Sequence, residues 1–600
     1  MSDHKHTAEQ ILARAREYLE HETDERFRGE VERLIDAREP DEPIGDDLTD
    51  RFYTDLEFGT GGLRGVIGGG SNRMNPLVIG RATEGLARYC VRAGSSTSGE
   101  LRAVIAHDSR RYSKEFALST ALVFAAHGIK AYLFPSLRPT PELSFAVRDL
   151  GATTGVVVTA SHNPPEYNGY KVYWSDGSQI VAPHDRAIID EVRAVSGTPK
   201  RLTKEEALER GLLEYLDDRI DDRFVAMVKR QSVRPELLQE RGSSLTVVYT
   251  PLHGTGAMMV ERVLGELGAT VVTVPEQREP DGEFPTVKSP NPEEADAMDL
   301  AVRLGRERRA DIVMGTDPDA DRIGIAVPVG TDYRLVTGNQ LGALLADYVL
   351  GGLRETRRMP ANPVFVKTIV TTELQKKIAE HHGARVVDTL TGFKHIATVM
   401  RELDDHPDRG TYVLGGEESY GYLIGTEVRD KDAITAAVLT AEMALYHVSQ
   451  HKGVLDRLRE LWMEFGYHEE IQISRYFKGS SGADLMASMM RQLREQPPRE
   501  IAGVPVREIK DFKSGRVVYA SGERERQIDL PSSNVLQYIL DDETVVSARP
   551  SGTEPKIKFY ASVCQTPGMD IERAIEASKL QLGRIEAWVE QQIASVTDAS

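Results

Sequence analysis

The stretch LRAVIAHDSRRYSKEFALSTALVFAAHGIKAYLFP, residues 101–135, sets the grammar of the chain. An apolar, strand-length run to Asp108 gives way to a helix-length run, Glu115 to Gly128, and then to a second short apolar run, Ile129 to Pro135. Strand, helix and strand in that order mark an α/β layer. The rhythm returns in LTVVYTPLHGTGAMMVERVLGELGATVVTVPE, residues 245–276, and in PVFVKTIVTTELQKKIAEHHGARVVDTL, residues 363–390. No fixed-period repeat accompanies it, so the chain reads as at least three α/β units in series. Upstream, Thr7 to Ile35 predicts one or two amphipathic helices, with Thr7 and Gln10 spaced as a capping box. Downstream of FKGSSGADL, residues 477–485, short strands (GRVVYA, TVVSARP, KIKFYASV) precede a long helix, the pattern of a smaller α+β domain. Polar connectors at 196–206 and 327–340 complete the division: a helical extension over 1–45, α/β domains over 46–205, 206–335 and 336–475, and an α+β domain over 476–600.

Composition narrows the function. Six hundred residues, 40% hydrophobic and 28% charged, with no window approaching the roughly 18 apolar residues of a membrane helix, describe a multidomain globular protein. The N-terminus MSDHKHTAEQ lacks the apolar segment of a secretion signal, and Cys90 and Cys564 form neither a CxxC nor a metal pair, so a cytoplasmic protein is expected. A formal net charge of −19 argues against a nucleic-acid partner. An anionic small substrate would need a local cluster of Arg and Lys.

The chemistry-bearing residues stand at strand ends. GVVVTASHNPPEYNGYKVYWSDG, residues 155–177, runs an apolar strand into Ser161, His162 and Asn163 and then bars a helix with Pro164-Pro165. Ser161 therefore sits where open α/β sheets place ligands. No GxSxG elbow surrounds it, which weakens an acyl-transfer reading. ADIVMGTDPDADRIGIAV, residues 310–327, holds Asp317, Asp319 and Asp321 between two apolar strands. Alternate carboxylates are costly to gather without a cation. Calcium-sensor geometry would need Gly and Glu where Arg322 and Pro328 stand, so a short oxygen-rich loop for Mg2+ is the better reading. Strand-then-DxD also resembles haloacid-dehalogenase-type phosphatases, although Arg322 departs from the small residue expected there.

FGTGGLRG, residues 58–65, and SARPSGTEPKIKFY, residues 547–560, read as anion-binding loops carrying Arg64 and Arg549, Ser551, Gly552 and Thr553. The absence of GxxxxGK[ST] removes a P-loop NTPase. LTGFKHIATVM offers Lys394 after a strand, and VLGGEESYGYLIG offers Glu417, Glu418 and Ser419, short polar residues of the kind a sugar-hydroxyl reader uses.

In order and distance, TASHNP, GTDPDADR, GEES and RPSGTEPK resemble the α-D-phosphohexomutase superfamily, from about residue 45 to the C-terminus. TASHNPPEYNGYKVY and the chain length are most similar to its long branch of bacterial phosphoglucomutases and vertebrate phosphopentomutase and glucose 1,6-bisphosphate synthase. The resemblance implies three similar α/β domains and a smaller α+β C-terminal domain around a central cleft. It implies that Ser161 is a phosphoserine, and that Asp317, Asp319 and Asp321 bind Mg2+ together with the Ser161 oxygen. Arg64, Lys171, Arg322 and Lys394 match basic positions near the transfer site. His162, Glu417 and Ser419 match substrate-binding positions, and Arg549, Ser551, Gly552 and Thr553 the site for the non-reacting phosphate. The activity so implied interconverts glucose 1-phosphate and glucose 6-phosphate through glucose 1,6-bisphosphate, in a monomer or homodimer that engages sugar phosphates, no nucleic acid and no membrane. Tyr420-Gly421-Tyr422 stands where many shorter mutases place Gly then His, which leaves mannose and pentose phosphates open as substrates. A metal-dependent sugar phosphatase and a non-catalytic sugar-phosphate sensor are the rival readings.

Overall fold

The computed structural model describes residues 7–37, 44–59, 61–94, 99–477, 482–521, 525–550 and 556–597. The chain divides into two compact units: Met1–Thr337 with Ala397–Leu414 and Ser419–Tyr446, and Gly338–Ile396 with Gly415–Glu418 and His447–Ser600. Among the described residues no helix is long and apolar enough to cross a membrane.

The first unit carries two α/β sheets. In the first, β1 (Gly62–Val66), β2 (Arg102–His107), β3 (Lys130–Leu133), β4 (Thr154–Val158), β5 (Tyr167–Trp174) and β6 (Leu213–Tyr215) lie in the order β1-β5-β4-β2-β3-β6. Strands β4, β2, β3 and β6 run parallel, and β5 returns antiparallel to β4. The parallel strands are apolar almost throughout, as burial of both faces requires, with Val104, Ile105, Val156, Val157 and Val158 all inaccessible. Because β6 pairs with β3, this sheet runs past the boundary expected at 205.

The N-terminal extension is two helices, Ala8–His21 and Glu25–Asp36, and the first opens with the Thr7–Gln10 capping box. Ile11, Ala15, Tyr18 and Val31 bury against Leu48, Phe52 and Leu77, while buried Glu22 accepts the Leu77 N–H at 3.0 Å. The extension thus packs on the start of the helix Pro76–Gly94 that covers the first sheet.

The second sheet has β7 (Thr246–Thr250), β8 (Thr270–Thr273), β9 (Ile312–Thr316), β10 (Ile323–Val329) and β11 (Asp332–Val336) in the order β11-β10-β9-β7-β8. Its core order, β10-β9-β7-β8, repeats the β5-β4-β2-β3 of the first sheet, with the same parallel pairs and the same antiparallel return. The stretch 327–340, read above as a connector, instead contributes the end of β10 and all of β11. Gly330 at φ 62° makes the tight reversal, and alternation in DYRLV supplies a half-exposed edge strand.

In the second unit β12 (Pro363–Thr368) lies parallel to β13 (Arg385–Thr389), with the helix Glu373–His381 as crossover. Strand β14 (Thr411–Glu417), of which Gly415–Glu417 belong to this unit, and strand β15 (Gly421–Ile424), which belongs to the first, follow along the chain. The C-terminal region forms an eight-stranded antiparallel sheet that begins with His468–Tyr476, ahead of the boundary expected at 475. The helices Gly482–Glu495 and Ile571–Thr597 close its core through Met489, Leu493, Ile585 and Val589.

Candidate active site

Strand β4 delivers the chain into Thr159-Ala160-Ser161, and Ser161 takes a left-handed backbone, φ 53°. A non-glycine residue rarely holds that conformation unless its surroundings impose it. Arg110 does so here. Its guanidinium donates to the carbonyls of Ser161 (2.5 Å), Pro164 (2.8 Å) and Tyr167 (3.0 Å) and to that of Asn163. Asp108, 3.3 Å from the Arg110 Nε, balances its charge. The Thr159 hydroxyl accepts the Ser161 N–H at 2.9 Å. The Ser161 hydroxyl is left aimed at Asp317, donating to Oδ2 at 2.7 Å, with His162 Nδ1 at 3.1 Å. Burial, with Arg322 and Arg64 nearby, pushes the His162 imidazole well below its usual pKa, so it stays neutral.

Asp317, Asp319 and Asp321 lie in the turn from β9 to β10, all three buried, with one carboxylate oxygen from each within 4.8 Å of the others. Asp317 organises the turn: its Oδ1 accepts the N–H groups of Asp321 and Arg322, both at 3.1 Å, and its carbonyl accepts that of Ala320, φ 50°. Asp319 Oδ2 accepts from Lys171 at 2.6 Å and from the Thr140 hydroxyl at 2.9 Å. Asp321 Oδ2 faces Lys171 at 3.2 Å and Lys431 at 3.1 Å. Asp319 Oδ1 and Asp321 Oδ1 are buried and accept no hydrogen bond.

That inventory tests whether a cation fits. Three convergent carboxylates supply a purely oxygen donor set, two of their oxygens accept no hydrogen bond, and orphaned buried oxygens are costly. The cluster could hold a hard divalent metal. The charge distribution agrees. Burial, together with Asp321 and Asp319, pushes the Asp317 carboxyl well above its usual range. At Asp321 burial acts in the same sense, but Lys171, Lys431 and Arg322 outweigh it and hold the carboxyl below that range.

Of the residues singled out from sequence, Ser161, His162, Arg64, Lys171, Arg322 and the three aspartates gather in the first unit. Arg64 is not on a loop, as FGTGGLRG suggested. Leu63–Arg64 alternate in and out along β1, Arg64 lies opposite Gly169 of β5, and its guanidinium donates to Asn163 Oδ1 at 3.3 Å. Arg322 pairs with Glu293 at 3.2 Å. Ser419 occupies the turn between β14 and β15, beside Tyr420 at φ 64°.

Lys394, Glu417 and Arg549 belong to the second unit. Lys394 opens the helix Phe393–Asp405, and Glu417 Oε1 accepts the Gly392 N–H at 2.8 Å. Arg549, on the strand Val545–Pro550, acts electrostatically on both Glu418 and His395, so three separate sequence stretches meet there. Burial beside Glu417 pushes the Glu418 carboxyl up to about 7. Burial, with Lys394 and Arg549, pushes His395 down to about 4. Ser551, Gly552 and Thr553 lie outside the described residues.

Sequence reasoning missed Arg110, Thr140, Asp430 and Lys431. Asp430 braces Lys431 at 3.1 Å and accepts from the Tyr173 hydroxyl at 2.7 Å and Gln179 at 2.9 Å. The signal was present: EVRDKDA packs five charges between the strand β15 and the apolar helix Ala433–Ser449, and buried charge demands a partner.

Comparison with known proteins gives the family. Residues 55–198, 222–330 and 337–465 match domains I, II and III, respectively, of the alpha/beta/alpha description "Phosphoglucomutase/phosphomannomutase". A phosphoglucomutase of Staphylococcus haemolyticus is 37% identical over 518 residues, 85% of this chain and 91% of that protein. One of Staphylococcus aureus (strain MRSA252) is 36% identical over 533 residues, 88% of this chain and 93% of that protein. The fold is shared with the phosphoprotein pp63/parafusin, a phosphoglucomutase of Paramecium (TM-score 0.67, 18% identity, covering 91% of this chain and 96% of that one). It is shared also with a phosphoglucomutase/phosphomannomutase family protein of Burkholderia thailandensis (TM-score 0.63, 19% identity, covering 91% and 98%). The fold and the family domains are those of a phosphohexomutase, an isomerase class. The chain belongs to the phosphoglucomutase/phosphomannomutase family.

Proposed function

We propose that the protein is a phosphoglucomutase that interconverts glucose 1-phosphate and glucose 6-phosphate through a phosphorylated Ser161. The observation that carries this reading is the Ser161 hydroxyl, held by a strained turn at 2.7 Å from Asp317 of a buried aspartate cluster. A serine that only capped its turn would not need a carboxylate cluster brought to it from another sheet.

Phospho-Ser161 donates its phosphoryl group to the free hydroxyl of the hexose monophosphate: the serine Oγ–P bond breaks, the sugar O–P bond forms, and the sugar hydroxyl proton passes to a base. The resulting glucose 1,6-bisphosphate turns over and returns its other phosphoryl group to Ser161, with a proton delivered to the departing sugar oxygen. Asp317, Asp319 and Asp321, with the serine oxygen, would hold Mg2+, which when bound would supply neutralisation of charge on the transferred group, the principal need of phosphoryl transfer. Lys171, salt-bridged to Asp319 and Asp321, is the proton carrier we favour in this chain; burial opposes its charge, but the two carboxylates outweigh that and keep it protonated. Arg64 and Arg322 bind the reacting phosphate. Lys394 is a further basic group of the transfer chemistry, His162, Glu417 and Ser419 read the sugar, and Arg549 with Ser551, Gly552 and Thr553 holds the other phosphate. The enzyme acts in the cytoplasm, as a monomer or homodimer, with glucose 1,6-bisphosphate as its activator.

31P NMR of the protein with Mg2+, glucose 1-phosphate and a trace of glucose 1,6-bisphosphate tests this. Formation of glucose 6-phosphate without inorganic phosphate supports the mutase. Release of inorganic phosphate in step with substrate loss overturns it in favour of a phosphatase.

A further inference from the structure

Asp319 does not orient itself. Its Oδ2 receives the Thr140 hydroxyl at 2.9 Å and the Lys171 ammonium at 2.6 Å, its backbone carbonyl receives the Thr140 N–H at 2.9 Å, and its Oδ1 is buried with no hydrogen-bond partner. Both donors come from the layer built on the first sheet, whereas Asp319 belongs to the turn of the second. One oxygen of the carboxylate is thus occupied from outside its own layer, and the other is left bare.

Thr140 is a rigid donor. It is inaccessible to solvent and begins the helix Thr140–Asp149, between Pro139 and Pro141, so its N–H faces outward from a helix end with no partner in its own helix. Arg138, two residues upstream, is locked by Asp221 through two hydrogen bonds of 3.0 and 2.8 Å and donates to Ser136 at 2.6 Å. From the other side, Thr255 donates to the Pro318 carbonyl at 2.8 Å, which fixes the residue before Asp319. The backbone on both sides of Asp319 is therefore held, and the Thr140 hydroxyl, together with the Lys171 ammonium, selects the rotamer of the carboxylate.

We propose that Thr140 is a positioning residue for the cation site: by occupying Oδ2 of Asp319 it presents Oδ1 to the metal, and it makes cation affinity a joint property of two layers of the first unit. The proposal rests on the reading that the aspartate cluster holds a divalent cation. Outer-shell donors to metal-ligating carboxylates typically carry about 10- to 100-fold in metal affinity.

The test is Mn2+ binding to the full-length protein, followed by EPR of free Mn2+, for the wild type, Thr140→Val, Thr140→Ser and Asp319→Asn. Valine keeps the shape and removes the donor, so affinity falls about 10-fold or more. Serine keeps the hydroxyl and restores affinity to within about threefold of wild type, which a purely packing role for the methyl group would not produce. Thr140→Ala replaces the valine variant should circular dichroism show that the latter is not folded. Wild-type affinity in a folded Thr140→Val protein, alongside loss of binding in Asp319→Asn, overturns the role of Thr140 and leaves the cation site standing. Failure of the wild type to bind Mn2+ overturns the cation site itself, and the positioning role with it.

Discussion

The turn from β4 to β5 and the turn from β9 to β10 both leave a buried parallel strand, pass through one left-handed residue (Ser161 at φ 53°, Ala320 at φ 50°) and return antiparallel. They differ in what holds them. The serine turn is held from outside, its carbonyls drawn onto the Arg110 guanidinium, so its one reactive hydroxyl carries no structural duty. The aspartate turn is braced from within as well as by Thr140 and Thr255, spending Asp317 Oδ1 on two of its own backbone N–H groups and leaving Asp319 and Asp321 for charge. Equivalent strand ends therefore supply position, and the turn residues supply chemistry. A third left-handed residue, Tyr420, follows β14 at the corresponding point of its repeat, in the stretch that carries Glu417, Glu418 and Ser419.

The comparison breaks first at Ser161. Ser161→Ala should lower mutase turnover by about 10^4-fold or more, since nucleophile removal commonly costs at least that much; a residual rate within tenfold of wild type, in an assay coupled to glucose 6-phosphate oxidation, would remove the serine turn from the chemistry. Asp321→Asn should cost about 10^2- to 10^3-fold in kcat, the usual scale for one electrostatic contributor to a charged transition state. Chelation by EDTA should abolish activity and added Mg2+ restore it; activity indifferent to EDTA would mean the aspartate turn holds no exchangeable cation.

The backing of the two turns gives a sharper, smaller test. A Cβ on Gly169 would lie 2.3 Å from the Thr159 carbonyl oxygen, and one on Gly254 would lie 2.3 Å from Pro318 Cα. Either Gly→Ala change must shift a turn, at about 1–3 kcal/mol of stability by the usual scale of overpacking. Urea unfolding measures that cost. Gly169→Ala should depress phosphorylation of Ser161 more than Mn2+ affinity, and Gly254→Ala the reverse; equal effects of both on both readouts would mean that the turns are not separable.

The smallest effect belongs to the third turn. Glu418, with its carboxyl pushed up to about 7, should make KM for the sugar phosphate fall as pH rises through 7, because only the ionised form accepts hydroxyl hydrogen bonds at both oxygens. Its raised pKa also means that its contribution to stability is fully present below the unfolded value of 4.5 and is lost as pH rises through about 7. Glu418→Gln should flatten the pH dependence of KM; an unchanged profile would assign the inflection to the substrate phosphate instead.

Strand-helix-strand periodicity made the α/β units legible, because burial of parallel strands on both faces leaves a continuous apolar run that local sequence cannot disguise. Ser161 and the aspartates were legible for a related reason: Pro164-Pro165 and three alternate carboxylates are too costly to keep without a use. Strand β11 was not, since DYRLV is a half-exposed edge whose identity as a strand depends on pairing with β10. Arg64 was placed on a loop because glycines read as a turn, whereas pairing with β5 makes the segment a strand. Arg110, Thr140 and Lys431 lie 51, 179 and 110 positions from Ser161, Asp319 and Asp321, their respective partners. Local patterns therefore determined the elements, their order and the candidate side chains. Only the tertiary structure decided which distant donors fill which oxygens, because a hydrogen bond across layers depends on how folded surfaces meet and leaves no periodicity in the chain.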